Sequence, residues 1–161
     1  MERLFVIDDT TSVPATATNL TECGLYEHQH LEKWIIDNPA VLGDDVLIVT
    51  AQYDRWAADA DGTPAKDRLD ILGLDGTDRL VVVELKRAGQ DRNVHLQAIT
   101  YAALVSRFTL DTLAAAYHDF LTRRGVRGES LDLEGCRERL LEHAGGDLDP
   151  ELLRRCGGLV S

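Results

Sequence analysis

Two short apolar runs, Leu69–Leu74 and Leu80–Leu85, flank Asp75-Gly76-Thr77-Asp78, and this pattern predicts a β-hairpin. Upstream, Arg3–Asp8 reads as a strand and Asp9–Asn19, rich in Thr and Ala, as a loop. Leu25–Asp37 carries apolar residues at helical spacing and stops at Asn38-Pro39, and Val46–Tyr53 reads as a strand. Asp54–Asp67 is a polar loop. Downstream, Ala88–Arg92 is a connection, and helices are predicted over Asn93–Arg107 and Thr109–Arg124. After a Gly-containing link, Gly125–Glu129, come two Leu-rich helices, Leu131–His143 and Pro150–Cys156.

The charged residues inside the hairpin runs are Asp70 and Glu84, with Lys86 just after the second run. Burying a charge costs several kcal/mol unless it is paired or holds a metal. Alternation along the strand puts Glu84 and Lys86 on the face of Val82, with Val81, Val83 and Leu85 on the other. If Asp75 and Arg79 close a three-residue turn, Asp70 falls opposite Glu84, with Cβ atoms about 5 Å apart. Two such carboxylates suit one hard cation, Mg²⁺ or Mn²⁺, with waters and a substrate phosphate completing its shell. An ammonium on the same face can orient water or stabilise charge at phosphorus, which is the chemistry of a metal-dependent phosphodiesterase. Lys86 is one of 3 lysines against 14 arginines, and an always-charged guanidinium would not replace its adjustable ammonium.

Asp70, Glu84-Leu85-Lys86 and Gln97…Tyr101 on the following helix together resemble the PD-(D/E)XK nuclease superfamily. Glu27…Leu31…Trp34-Ile35…Asn38-Pro39…Leu42-Gly43, with RLDILGLD and VVVELKR, is similar to the catalytic domain of NucS-like endonucleases and their small standalone relatives. The likeness spans Gly24 to Phe108. It implies an α/β fold, a restriction-endonuclease-like mixed β-sheet flanked by α-helices, and Mg²⁺-dependent cleavage of DNA. Leu69 stands where the superfamily has proline, and only 26 residues precede Glu27. The separate DNA-binding domain of the mismatch enzymes is therefore not expected, nor is their mismatch specificity.

The resemblance gives Asp70, Glu84 and Leu85 the metal, Lys86 the attacking water, Glu27 an outer carboxylate role and Gln97 an assisting one. Helical geometry favours Glu27 over Glu32, because Glu27 lies in line with Leu31, Trp34 and Ile35, whereas Glu32 points to solvent. Gln97 and Tyr101 share a helix face, with Tyr101 supporting the site or contacting DNA. Arg87 and Arg92 are the expected nucleic-acid contacts beside Tyr101. The five histidines show no metal-ligand spacing.

Length and a 44% hydrophobic content give a real core, with a nuclease-like domain over residues 1–128 and a Leu-rich helical extension over 129–161. That extension packs on the domain or joins two subunits, and a homodimer is the preferred expectation. Three scattered cysteines outline neither a disulfide framework nor a zinc site. With no signal peptide and no apolar run of about 18 residues, no membrane partner is expected and the cytoplasm is the expected compartment. The net charge of −11 opposes DNA binding. It is concentrated in residues 1–70, with 14 acids and 5 bases, whereas 71–161 carry 14 and 12. Arg123, Arg124 and Arg127 belong to a possible basic rim. Two rivals stand beside a DNA endonuclease: a catalytically weak nuclease-fold module binding nucleic acid or a protein partner in a defence or repair assembly, and an RNA-directed nuclease.

Overall fold

The computed structural model describes residues 4–8, 10–16, 18, 20, 22–26, 30–56, 68–85, 94–125, 131–145 and 159–160. Strand β1 (Phe5–Asp8) is followed by β2 (Thr11–Pro14), and the two pair antiparallel, with Val6 opposite Val13. The segment expected as a loop after Asp8 therefore holds a strand, because Thr11 and Val13 supply β-branched residues that its Thr- and Ala-rich composition hides. Phe5, Val6, Ile7 and Val13 remain more than half exposed.

Helix α1 (Glu32–Asp37) is shorter than the Leu25–Asp37 expectation. The amides of His30 and Leu31 both donate to the Tyr26 carbonyl, a wide turn that precedes the regular helix. Ile35 is its buried residue, while Trp34, expected on the packed face, is 43% exposed. A 3₁₀ turn at Pro39–Val41 then leads into β3 (Val46–Tyr53), whose bounds match the sequence reading.

Strands β3, β4 (Leu69–Asp75) and β5 (Leu80–Val83) form an antiparallel meander, and β6 (Leu159–Val160) adds a parallel strand beside β5. The hairpin is closed by Asp75, which donates its amide to the Arg79 carbonyl at 3.0 Å and accepts the amides of Thr77 and Arg79 on Oδ1. Asp78 takes the left-handed conformation, φ 68°, that ends a three-residue turn of this kind. Gly73 lets β3 come close: a Cβ there would lie 2.7 Å from Val46 Cγ1.

Helices α2 (Val94–Val105), α3 (Leu110–Arg124) and α4 (Leu133–His143) complete a mixed α/β fold. Thr109 caps α3 through its side chain and Gly125 ends it with φ 59°, a left-handed turn that glycine adopts without strain. The core unites Val49, Leu69, Ile71, Leu72 and Leu74 of the sheet with Val105 of α2 and Leu113 of α3. Helix α4 packs on α3, with Cys136 and Leu140 fully buried. Leu140 is thus buried in this chain's own core with Leu131 and Leu141 packed against it, while Leu133 is 55% exposed, and β6 lies along the sheet. The helix expected over Pro150–Cys156 lies outside the described residues. No helix among the described residues is long and apolar enough to cross a membrane.

Candidate active site

Pairing runs from Leu74 opposite Leu80 to Ile71 opposite Val83, and one further step in the same register sets Asp70 across from Glu84. The observed pairs end at Ile71 and Val83, and their register is the one expected from the turn. Asp70 is 4% exposed and Glu84 8%, and they are the buried charged residues among those described. Asp70 Oδ2 accepts the Leu85 amide at 2.8 Å. A side chain thereby takes the amide where a regular ladder would use a backbone carbonyl, and β5 ends at Val83.

On the other side of Asp70 stands Gln52. The β3–β4 register places it between Ala51, opposite Ile71, and Tyr53, opposite Leu69, beyond an irregularity between Ile48 and Thr50. Its φ is 55°. Gln52 Nε2 lies 3.4 Å from Asp70 Oδ1 and also donates to Glu32 Oε2. Adjacent strands thus present Gln52 and Asp70 side by side, with Glu84 just past the end of β5 and Glu32 joined through the amide.

Glu32 corrects one expectation. It is half-buried and bonded to Gln52 rather than solvated, because the packed face of α1 is centred on Ile35 and Ile36, three and four residues after Glu32, and not on the exposed Trp34. Glu27, the acid preferred from the sequence, lies outside the described residues, as do Lys86, Arg87 and Arg92. Gln97 is on α2, four residues before Tyr101, and its side chain is outside the description.

Tyr101 is corrected from nucleic-acid contact to internal support. It is 2% exposed, its hydroxyl donates to the Arg68 carbonyl at 3.0 Å, and its ring stacks on Trp56 at 6.0 Å. Buried there, it ties α2 to the residue two before Asp70 and presents no surface to a nucleic acid.

Two cavities adjoin Gln52. One of about 350 Å³ lies between α1, β3 and α3, and another of about 200 Å³ lies along the end of β3; Gln52 and Arg123 line both. Arg123 donates to the Ala51 carbonyl at 3.3 Å and lies 3.5 Å from Thr50 Oγ1, which anchors α3 to β3. Arg123 belongs to the basic rim expected from the sequence, and Gln52 is the residue that the sequence did not single out. A glutamine in a strand carries no charge to flag it.

Among the described residues, no group of three or more His, Cys, Asp or Glu side chains converges on a metal-sized site. The donors present are oxygens only. Two carboxylates and a carbonyl suit a Mg²⁺-like ion that keeps several waters and binds substrate phosphate, and do not suit a closed zinc site. Compared with family models, curated proteins and solved structures, the chain matches none.

Proposed function

We propose that this protein is a metal-dependent nuclease that hydrolyses phosphodiester bonds, with DNA as its substrate. The observation carrying the reading is the buried pair Asp70 and Glu84 at the end of a hairpin. A mixed sheet flanked by helices is the architecture of the PD-(D/E)XK nucleases that the sequence resembles. That likeness supports a restriction-endonuclease-like fold.

Asp70, Glu84 and the Leu85 carbonyl would hold Mg²⁺ or Mn²⁺. Such an ion, when bound, supplies Lewis acidity and lowers the pKa of bound water. The protein's own part begins with Asp70, whose orientation is set by the Leu85 amide and the Gln52 amide. Preorganised carboxylates need no rearrangement as charge develops. Gln52 links Glu32 to the same cluster, giving it a supporting position of the kind that keeps ligands oriented. On the sequence resemblance, Lys86 orients or activates the attacking water, Gln97 assists it, and Glu27 contributes an outer carboxylate.

The test is incubation of pure protein with single-stranded, duplex and branched DNA and with RNA in Mn²⁺. Cleavage of DNA that disappears in Asp70→Asn and Glu84→Gln, with unchanged unfolding temperatures, is the expected result. Cleavage surviving both variants would reject the site. A second reading, a binding module with little activity, is favoured by the net charge of −11; oligonucleotide binding without cleavage would select it. Preferential cleavage of RNA would select the remaining alternative.

A further inference from the structure

We propose that the two cavities meeting at Arg123 form a track for a single nucleic-acid strand, with a phosphate of that strand held by the Arg123 guanidinium. The inference rests on the nuclease reading and names where its substrate lies. In a chain of net charge −11, a polyanion is attracted only where cations gather. Lys33, Arg123 and Arg124 line the larger cavity against Glu32. Arg55 and Arg68 join Arg123 in the smaller, against Asp54 and Asp119. These cavities are therefore locally cationic on a strongly acidic protein.

The cations differ in what already holds them. Lys33 and Arg124 share Asp37, and Arg55 pairs with Asp119. The described bonds of Arg123 go to the Asp119 carbonyl, the Ala51 carbonyl and the Thr50 hydroxyl, all neutral acceptors. A guanidinium carries five N–H donors in a fork that matches phosphate, so Arg123 keeps its full charge and spare donors for an anion.

Shape selects the form of the substrate. Ile36, Ala51 and Phe120 give the larger cavity an apolar side for sugar and base. About 350 Å³ is the volume of a small-ligand pocket and not of a groove for a duplex. Charged tracks with apolar walls are how single strands are held without sequence preference. Gln52 lines both cavities and lies 3.4 Å from Asp70, so the track runs one side chain away from the buried carboxylates.

The experiment measures binding of fluorescein-labelled oligothymidylate by anisotropy in EDTA, across a salt series, with full-length wild type, Arg123→Gln, Lys33→Gln and Arg79→Gln. Each variant removes one positive charge. Arg79 pairs with Asp75 at the far end of the hairpin, away from the track. Arg123→Gln should weaken binding about tenfold and lower the salt slope by about 0.7. Lys33→Gln should weaken it by a smaller factor, and Arg79→Gln should bind like wild type. Thermal unfolding of each variant accompanies the titration. Should Arg123→Gln fail to fold, exposed Lys33 carries the same comparison. Equal losses in all variants, no loss at either track residue, or tighter binding of a duplex than of the single strand would overturn the proposal. Arg123-dependent binding without cleavage would leave the track standing and reject the nuclease. Cleavage with Arg123-independent binding would do the reverse.

Discussion

Gln52 faces Asp70 across adjacent strands, with φ at 55° and its amide nitrogen 3.4 Å from the Asp70 carboxylate. A non-glycine residue in the left-handed region costs about 1–3 kcal/mol and persists only where its surroundings impose it. Here the imposing contacts are two acids, Asp70 and Glu32, that meet the same amide. Strain at this point of β3 is thereby coupled to the carboxylate cluster.

Stability and activity should therefore separate at Gln52. Gln52→Gly removes the backbone strain and should be more stable than Gln52→Ala by about 1 kcal/mol, read from urea unfolding midpoints. Both variants should lose about 10–100-fold in metal affinity or cleavage rate, as outer supporting residues do. An Ala variant as active as wild type would remove Gln52 from the site.

The role proposed for Lys86 calls for a compact ammonium and not for any positive charge. Lys86→Ala should lower cleavage by about 10²–10⁴-fold while calorimetric binding of Mn²⁺ is retained, and Lys86→Arg should not restore it. Full activity in the Arg variant would reduce this residue to a charge.

The turn that closes the β4–β5 hairpin should be sensitive to acid. Burial pushes the Asp75 carboxyl up, but hydrogen bonds from the backbone of Arg79 and Thr77 and from their side chains outweigh it and hold the group below its ordinary value. A depressed acid stabilises the fold above its unfolded pKa, and that contribution is lost as pH falls from about 4 through the lower folded value. Wild type should lose more urea stability than Asp75→Asn between neutral pH and that acid window. Parallel losses would show that Asp75 contributes nothing to the acid limb.

Leu140 tests the role of the C-terminal segment. Its side chain is fully buried, and α4 packs on α3, so Leu140→Ala should cost about 2–5 kcal/mol at every protein concentration. A midpoint that rises with concentration would instead assign the segment to a dimer.

The hairpin and its opposed carboxylates were legible because their causes are local. Asp75-Gly76-Thr77-Asp78 closes its own turn, alternation assigns the faces, and together they place Asp70 across from Glu84. Val46–Tyr53 was equally clear as a strand, and α3 announced itself by Thr109 and Gly125. Acids were harder to place. Helical periodicity sets Glu32 on the solvent side when Trp34 is counted in the packed face, whereas α1 packs through Ile35 and Ile36.

By itself the sequence determined β3, the β4–β5 hairpin and helices α2 and α3, since turn chemistry and side-chain period act within a few residues, whereas β2 and β6 were not read from it. Only the tertiary structure decided that Gln52 would meet Asp70, that Arg123 would lie against β3 and that Tyr101 would be buried beneath Arg68. Those contacts join residues 18, 72 and 33 positions apart. They depend on the irregularity in β3 and on how the helices pack over the sheet, where a one-residue shift in register turns every side chain to the opposite face.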